Sequence, residues 1–344
     1  MRVVVDDKIP YIREALSAMG VDAMYAPGSH INNALVRDAD ALIIRTRTRC
    51  DAALLQSSRV QFIATATIGY DHIDTAYCAA QGIRWTNAPG CNAASVRQYV
   101  QSVLLLLQKE RGIQLSGSTI GVVGVGHVGT LVADMAATWG MRVLLCDPPR
   151  AERGEQGFVS LQAIARKADI ITLHTPLTHE GPHRTWHLAD EVFFESLQRK
   201  PYFINTSRGE TTDTKALLQA LDEGRIAQCI IDVWEHEPHI DLRLLEHCYI
   251  GTPHIAGYSA DGKANATRMS LEALSSHFGL GEVPTIVPPA PIQEVLPDAS
   301  REDALLAIYN PHDDSLALKL APEHFEQLRG NYPLRREETA YPIF

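Results

Sequence analysis

The run Thr119-Ile120-Gly121-Val122-Val123-Gly124-Val125-Gly126-His127-Val128-Gly129 decides the fold. It sets a short strand directly before Gly124-x-Gly126-x-x-Gly129, with a helix opening on the last glycine. In a G-x-G-x-x-G turn, the first glycine permits the tight bend and the second lets a pyrophosphate approach the backbone. The third lets helix and strand pack closely. The helix N-terminus then offers unpaired N–H groups to phosphates, which makes His127 and Val128 of its first turn cofactor contacts as well. The next strand, Arg142 to Asp147, ends in an acid about 20 residues on, where a carboxylate accepts the adenosine ribose hydroxyls. Asp147 would repel a 2′-phosphate, so NAD is the expected cofactor and not NADP. Arg150 and Arg153 nearby read as solvated loop charges.

Working outward, strands are expected at Thr119–Val123, Arg142–Asp147, Ile170–Leu173, Tyr202–Asn205, Gln228–Asp232 and Tyr249–Gly251. Six strands alternating with helices fit a doubly wound parallel sheet. The first hundred residues repeat the alternation more loosely. Strands are expected at Val3–Val5, Ala41–Arg45, Phe62–Ala64 and Ile83–Thr86, and helices at Tyr11–Met19 and His72–Gln81. A helix over Ala93–Glu110 carries Val100, Val103, Leu104 and Leu107 on one face; Leu105 and Leu106 widen that face, which predicts burial between layers. Another helix spans Asp261–Phe278, and the prolines at 284, 288, 289, 291 and 297 mark an extended linker.

The expected fold is therefore α/β, with two doubly wound Rossmann-like domains, a cleft between them and a C-terminal extension. Residues 1–98, completed by 257–280, would form a substrate domain, and 99–256 the nucleotide domain. Residues 281–344 would form the extension. A chain of 344 residues has room for two such cores. With 31 Lys and Arg against 41 Asp and Glu, the net charge of −10 argues against a nucleic-acid or anionic-membrane partner. The apolar runs are too short to span a bilayer, and the N-terminus lacks the pattern of a signal peptide. Six cysteines without framework spacing read as reduced thiols, so the expected compartment is cytoplasmic.

Three later segments fall at carboxyl ends of strands, where open α/β sheets form their ligand crevice. They are Asn205-Thr206-Ser207-Arg208-Gly209, Asp232-Val233-Trp234-Glu235-His236-Glu237-Pro238 and Thr252-Pro253-His254-Ile255-Ala256-Gly257-Tyr258. Hydride removal from a hydroxy acid needs a cation for the carboxylate, a base for the hydroxyl proton and an acid to tune that base. Arg208, His254 and Glu237 can supply these in turn.

With the fingerprint, these motifs make the sequence similar to the D-isomer-specific 2-hydroxyacid dehydrogenases from about residue 40 to 280. The resemblance implies Arg208 as substrate anchor, His254 as acid/base and Glu237 as its partner. It implies Asn205, Thr206 and Asp232 on the nicotinamide side and Thr175 over the cofactor, with Ser207 and Gly257 as further cofactor contacts. One branch of the family acts on a phosphorylated hydroxy acid and carries an added dimerisation segment. Val5-Asp6-Asp7-Lys8-Ile9-Pro10-Tyr11, Cys146-Asp147-Pro148-Pro149-Arg150 and His254-Ile255-Ala256-Gly257-Tyr258 resemble that branch. By that resemblance Thr46, Thr67 and Tyr258 contact substrate and the protein is a homodimer. Gln98 departs from it, standing where the branch usually has an acid.

Arg45-Thr46-Arg47-Thr48-Arg49 reads as strand-like alternation with the three arginines on one face, either an anion pocket in which at least one of them binds the substrate phosphate or an edge strand protected by charge. Thr65-Ala66-Thr67-Ile68-Gly69 could add backbone N–H groups to the same pocket. His179, His183 and His187 share a spacing of four, but Gly181-Pro182 breaks any helix there, so no metal site is expected. Two other readings stay open: oxidation of another D-2-hydroxy acid, such as 3-phosphoglycerate, and a non-catalytic NADH sensor.

Overall fold

A computed structural model describes the chain except residues 293–294, 296–298 and 342–344. Pro297 of the proline-rich linker therefore lies outside the described residues. The chain divides into two compact units, 1–92 with 259–290 and 93–258 with 291–344. The first boundary falls at 92/93, where the sequence reading had 98/99. The helix Ala93–Arg111 belongs whole to the second unit, because Tyr99, Val100 and Val103 to Leu107 are all buried in its core.

The first unit is built on β1 (Arg2–Asp6), β2 (Asp22–Ala26), β3 (Ala41–Ile44), β4 (Phe62–Thr65) and β5 (Arg84–Thr86). All pair in parallel, in the order β2-β1-β3-β4-β5. Strands β3 and β4 are buried along their length, as expected of a parallel sheet covered on both faces. The helix Ala260–Phe278 covers one face through Leu271 and Leu274, which pack with Val3, Val5, Ile43 and Ala64. Sequence patterning missed β2. Its Asp-Ala-Met-Tyr-Ala run lacks β-branched residues and is only half-buried, because it forms the sheet edge against β1 alone.

The second unit carries β6 (Thr119–Val123), β7 (Arg142–Cys146), β8 (Ile170–Leu173), β9 (Tyr202–Asn205), β10 (Gln228–Ile231) and β11 (Ile250–Gly251). These six parallel strands are ordered β11-β10-β9-β8-β6-β7, so the winding reverses at β6. The tail, expected as a separate extension over 281–344, instead joins this unit from Pro291 and forms helices Arg301–Ile308, Pro311–Leu320 and Phe325–Gly330. Leu305, Ile308 and Tyr309 join the core around Leu104 and Ile120, while Leu318 and Phe325 join Phe203 and Trp234. Gln98, the residue that departs from the family pattern, donates its amide to the Arg336 carbonyl at 3.1 Å. Ser95 beside it donates to Glu337 at 2.8 Å. Among the described residues, no helix is long and apolar enough to cross a membrane. The six cysteines are buried and unbridged.

Candidate active site

The glycine turn follows β6 directly, and the helix His127–Thr138 opens on Gly126, with no side chain capping its N–H groups. Gly124 has φ +85°, and a Cβ there would meet the His174 backbone at 2.7 Å. A Cβ on Gly129 would lie 2.0 Å from the Gly124 carbonyl oxygen, so the helix can seat against the strand only with glycine. At Gly126 nothing lies within 4 Å of a built Cβ: the turn leaves an open approach over uncapped N–H groups. Thr175, just past the end of β8, keeps a buried hydroxyl without a hydrogen-bond partner among the described residues. An open cradle, an orphaned hydroxyl and a terminal acid are the fit a dinucleotide needs.

Asp147 accepts Val125 N–H at 2.8 Å and Arg150 N–H at 3.1 Å, so it ties the turn to the next helix and retains lone pairs for hydroxyls. Arg150 is committed to Glu155 and to the Val125 carbonyl, and Arg153 also pairs with Glu155.

His174 bridges the Thr172 hydroxyl (3.0 Å) and the Thr206 hydroxyl (3.3 Å). Burial pushes its ring down to about 3, so it is a neutral spacer that aims Thr206. Asn205 fixes the next loop: its amide donates to the Arg208 carbonyl and to the hydroxyls of Thr211 and Thr212, and its oxygen accepts from Ser207. Ser207 is thereby buried inside the loop, with its hydroxyl already engaged.

Asp232 is fully buried. Burial pushes its carboxyl up, against the Thr252 hydroxyl (2.7 Å) and the Ile255 and Ala256 N–H groups (2.8 and 3.0 Å) that it accepts. It therefore shapes the 252–256 turn, and that turn holds His254 at φ +57°, a strained backbone for a non-glycine residue. Gly257 lies in the following turn, which Tyr258 N–H closes onto the Ile255 carbonyl at 2.8 Å.

His254 Nδ1 lies 2.8 Å from Glu237 Oε2, which makes Nδ1–H the donor and leaves the Nε2 lone pair free to accept a proton. Glu237 also accepts Trp234 N–H at 3.0 Å. Burial raises its carboxyl, but the hydrogen bond and charge of His254, this N–H and the Arg329 guanidinium outweigh burial. Together they hold Glu237 below the usual carboxylate range. Arg208, Glu237 and His254 line one cavity with Gly209, Glu210, Trp234 and His236. Gly209 is obligatory there, since a Cβ would strike the Trp234 carbonyl carbon at 2.0 Å; this close approach brings the Arg208 loop onto the Glu237 loop. The Arg208 side chain donates only to the Ser207 carbonyl and forms no ion pair among the described residues.

The first unit corrects the strand-like reading of residues 45–49. Strand β3 ends at Ile44, and a turn closed by Thr48 N–H on the Arg45 carbonyl follows, so the arginines do not share a strand face. Arg45 grips the buried Asp6 through Nε (3.1 Å) and one terminal nitrogen (3.2 Å), and Arg49 pairs with Asp51. A strand pattern continued past Ile44 because Thr and Arg tolerate either conformation. Thr46 is exposed beside Arg45. Thr67, after β4, spends its hydroxyl on Thr65 (2.6 Å) and the Gly69 carbonyl. Tyr258, in the second unit, receives Arg329 Nε at 3.0 Å. Of the spaced histidines, His183 pairs with Glu152 and His187 with Glu235. Arg329 is the site neighbour that the sequence reading missed: a single arginine in the tail carries no motif.

The NAD-binding domain of the D-isomer specific 2-hydroxyacid dehydrogenases matches residues 93–256. D-lactate dehydrogenase from Aquifex aeolicus, solved with NAD and lactic acid, shares the fold at a TM-score of 0.66 and 24% identity, covering 81% of this chain and 96% of that one. The erythronate-4-phosphate dehydrogenase of Bacteroides fragilis (strain YCH46) is 60% identical over 344 residues, 100% of this chain and 99% of its own. That of Porphyromonas gingivalis is 43% identical, over 100% and 95%. The chain belongs to the erythronate-4-phosphate dehydrogenase family of NAD-dependent 2-hydroxyacid dehydrogenases.

Proposed function

We propose that this protein oxidises 4-phospho-D-erythronate at C2 to the 2-oxo acid, (R)-3-hydroxy-2-oxo-4-phosphooxybutanoate, in pyridoxal 5′-phosphate biosynthesis. The observation that carries the reading is an Arg208 guanidinium without an ion-pair partner among the described residues, lining one cavity with the Glu237–His254 pair. The fingerprint turn with Asp147 and Thr175 would hold NAD, which would supply the acceptor for the C2 hydride. Arg208 anchors the substrate carboxylate and polarises the reacting oxygen. His254 Nε2 takes the hydroxyl proton, and Glu237 keeps the ring in the correct tautomer and offsets the imidazolium charge.

Thr46, Thr67 and Tyr258 are the proposed substrate contacts, with Arg45 for the phosphate. Asp6 orients Arg45 and leaves one terminal amino group of its guanidinium without a partner among the described residues. The working protein would be a cytoplasmic homodimer, associating through segments that include residues after 280.

NADH absorbance on mixing the protein and NAD with a panel of acids tests this. Phosphorylated erythronate should be oxidised at far higher kcat/KM than 3-phosphoglycerate or unphosphorylated erythronate. No turnover with any of them, alongside tight NADH binding, would favour a sensor instead.

A further inference from the structure

The helix Phe325–Gly330 brings a tail residue to the proposed proton-transfer pair. Arg329 Nε donates to the Tyr258 hydroxyl at 3.0 Å, and Nη1 lies 3.7 Å from Glu237 Oε2. The guanidinium rests 5.9 Å above the Tyr258 ring, with its side chain 27% exposed. We propose that Arg329 is a positioning residue that sets the charge balance of the Glu237–His254 pair and couples it to Tyr258. This rests on His254 being the base.

The physical case is one of compensation. A carboxylate taken out of water is costly unless charge and hydrogen bonds replace its hydration. Glu237 has Trp234 N–H, His254 and Arg329 for that purpose. Arg329 also acts on the ring beyond, because its positive charge opposes the one an imidazolium would place at His254. Other charged groups also face the pair. Asp232 lies beneath the His254 turn; Arg208, Glu210 and His236 line the cavity; Glu326 adjoins Arg329 on its own helix. Besides His254 itself, Arg329 is the cation within ion-pair distance of Glu237 among the described residues.

The test compares Arg329→Met and Arg329→Lys with the parent, reading kcat/KM for oxidation against pH, NAD affinity and the melting temperature. In Arg329→Met the carboxylate stays seated on Trp234 N–H while the positive charge is gone. The acid limb should rise by about half to one pH unit, and activity below it should fall roughly three- to tenfold. The plateau should change less and NAD affinity should not change. Arg329→Lys, which keeps the charge, should return the limb toward the parent position. Should Arg329→Met not fold, Arg329→Gln removes the charge while keeping a donor for Tyr258. A limb that stays put, or moves to lower pH, in a folded variant that binds NAD overturns the proposal. A loss equal at every pH does the same, by marking a packing role. Failure of the underlying reading would look different: the parent limb would survive His254→Ala.

Discussion

The two sheets are wound alike. From its edge the first runs β2-β1-β3-β4-β5, and the second follows the same course from β7 through β6, β8, β9 and β10, adding β11. Each reverses direction beside its first strand, which is where open α/β sheets offer a ligand crevice. The turn after that strand differs completely. In the second unit it is Gly124-Val125-Gly126, open above Gly126 and followed by an uncapped helix. In the first unit it is Asp7-Lys8-Ile9-Pro10-Tyr11, and Asp6 at the strand's end is buried against Arg45. There the carboxylate is spent on orienting a guanidinium, whereas the second-unit turn presents bare backbone N–H groups. Winding supplies the crevice, and the turn residues decide what enters it.

Replacing His254 with Ala should lower kcat/KM by roughly 10²- to 10⁴-fold, the usual contribution of a general base, while NAD binding survives. Retained activity would move the base elsewhere. A smaller and more diagnostic effect is expected from Glu237→Gln. Glu237 is held below the ordinary carboxylate range and is therefore charged throughout the acid limb, so the variant removes a full negative charge beside the imidazolium. The limb should move to lower pH, and kcat/KM should fall roughly tenfold or more, since each tenfold corresponds to about 1.4 kcal/mol of lost stabilisation. A limb that shifted upward would mean the carboxylate does not tune this ring. Arg329→Met shifts the same limb upward, so the two variants bracket the pair from opposite sides.

Sequence resolved the second unit more sharply than the first, for a physical reason. Strands β6, β8 and β9 are short, buried and bounded by turns, so their patterns coincide with the observed spans. The motif residues Arg208, Glu237 and His254 are far apart in the chain, yet each stands just past a strand end, where the winding gathers them. Edge strand β2 escaped notice because half-buried positions carry a weak apolar signal. The Arg45–Arg49 turn misled because alternating polar residues satisfy a strand pattern without forming one. Arg329 was invisible for a different reason: its importance comes from where the tail helix docks, through Phe325 and Leu318 in the core, and no local spacing encodes that.

The most direct test of the contrast between the two turns is a calorimetric titration of NAD into the parent and Gly126→Val. Gly126 has φ −82°, and nothing stands within 4 Å of its Cβ position, so the valine should fold with an unchanged melting temperature. Its side chain would project into the space through which the pyrophosphate reaches the N–H groups. The account predicts one NAD bound per parent chain, with NADP binding more weakly, and no measurable NAD binding to Gly126→Val. Two equivalents of NAD per parent chain, or parent-like affinity in the folded variant, would contradict it.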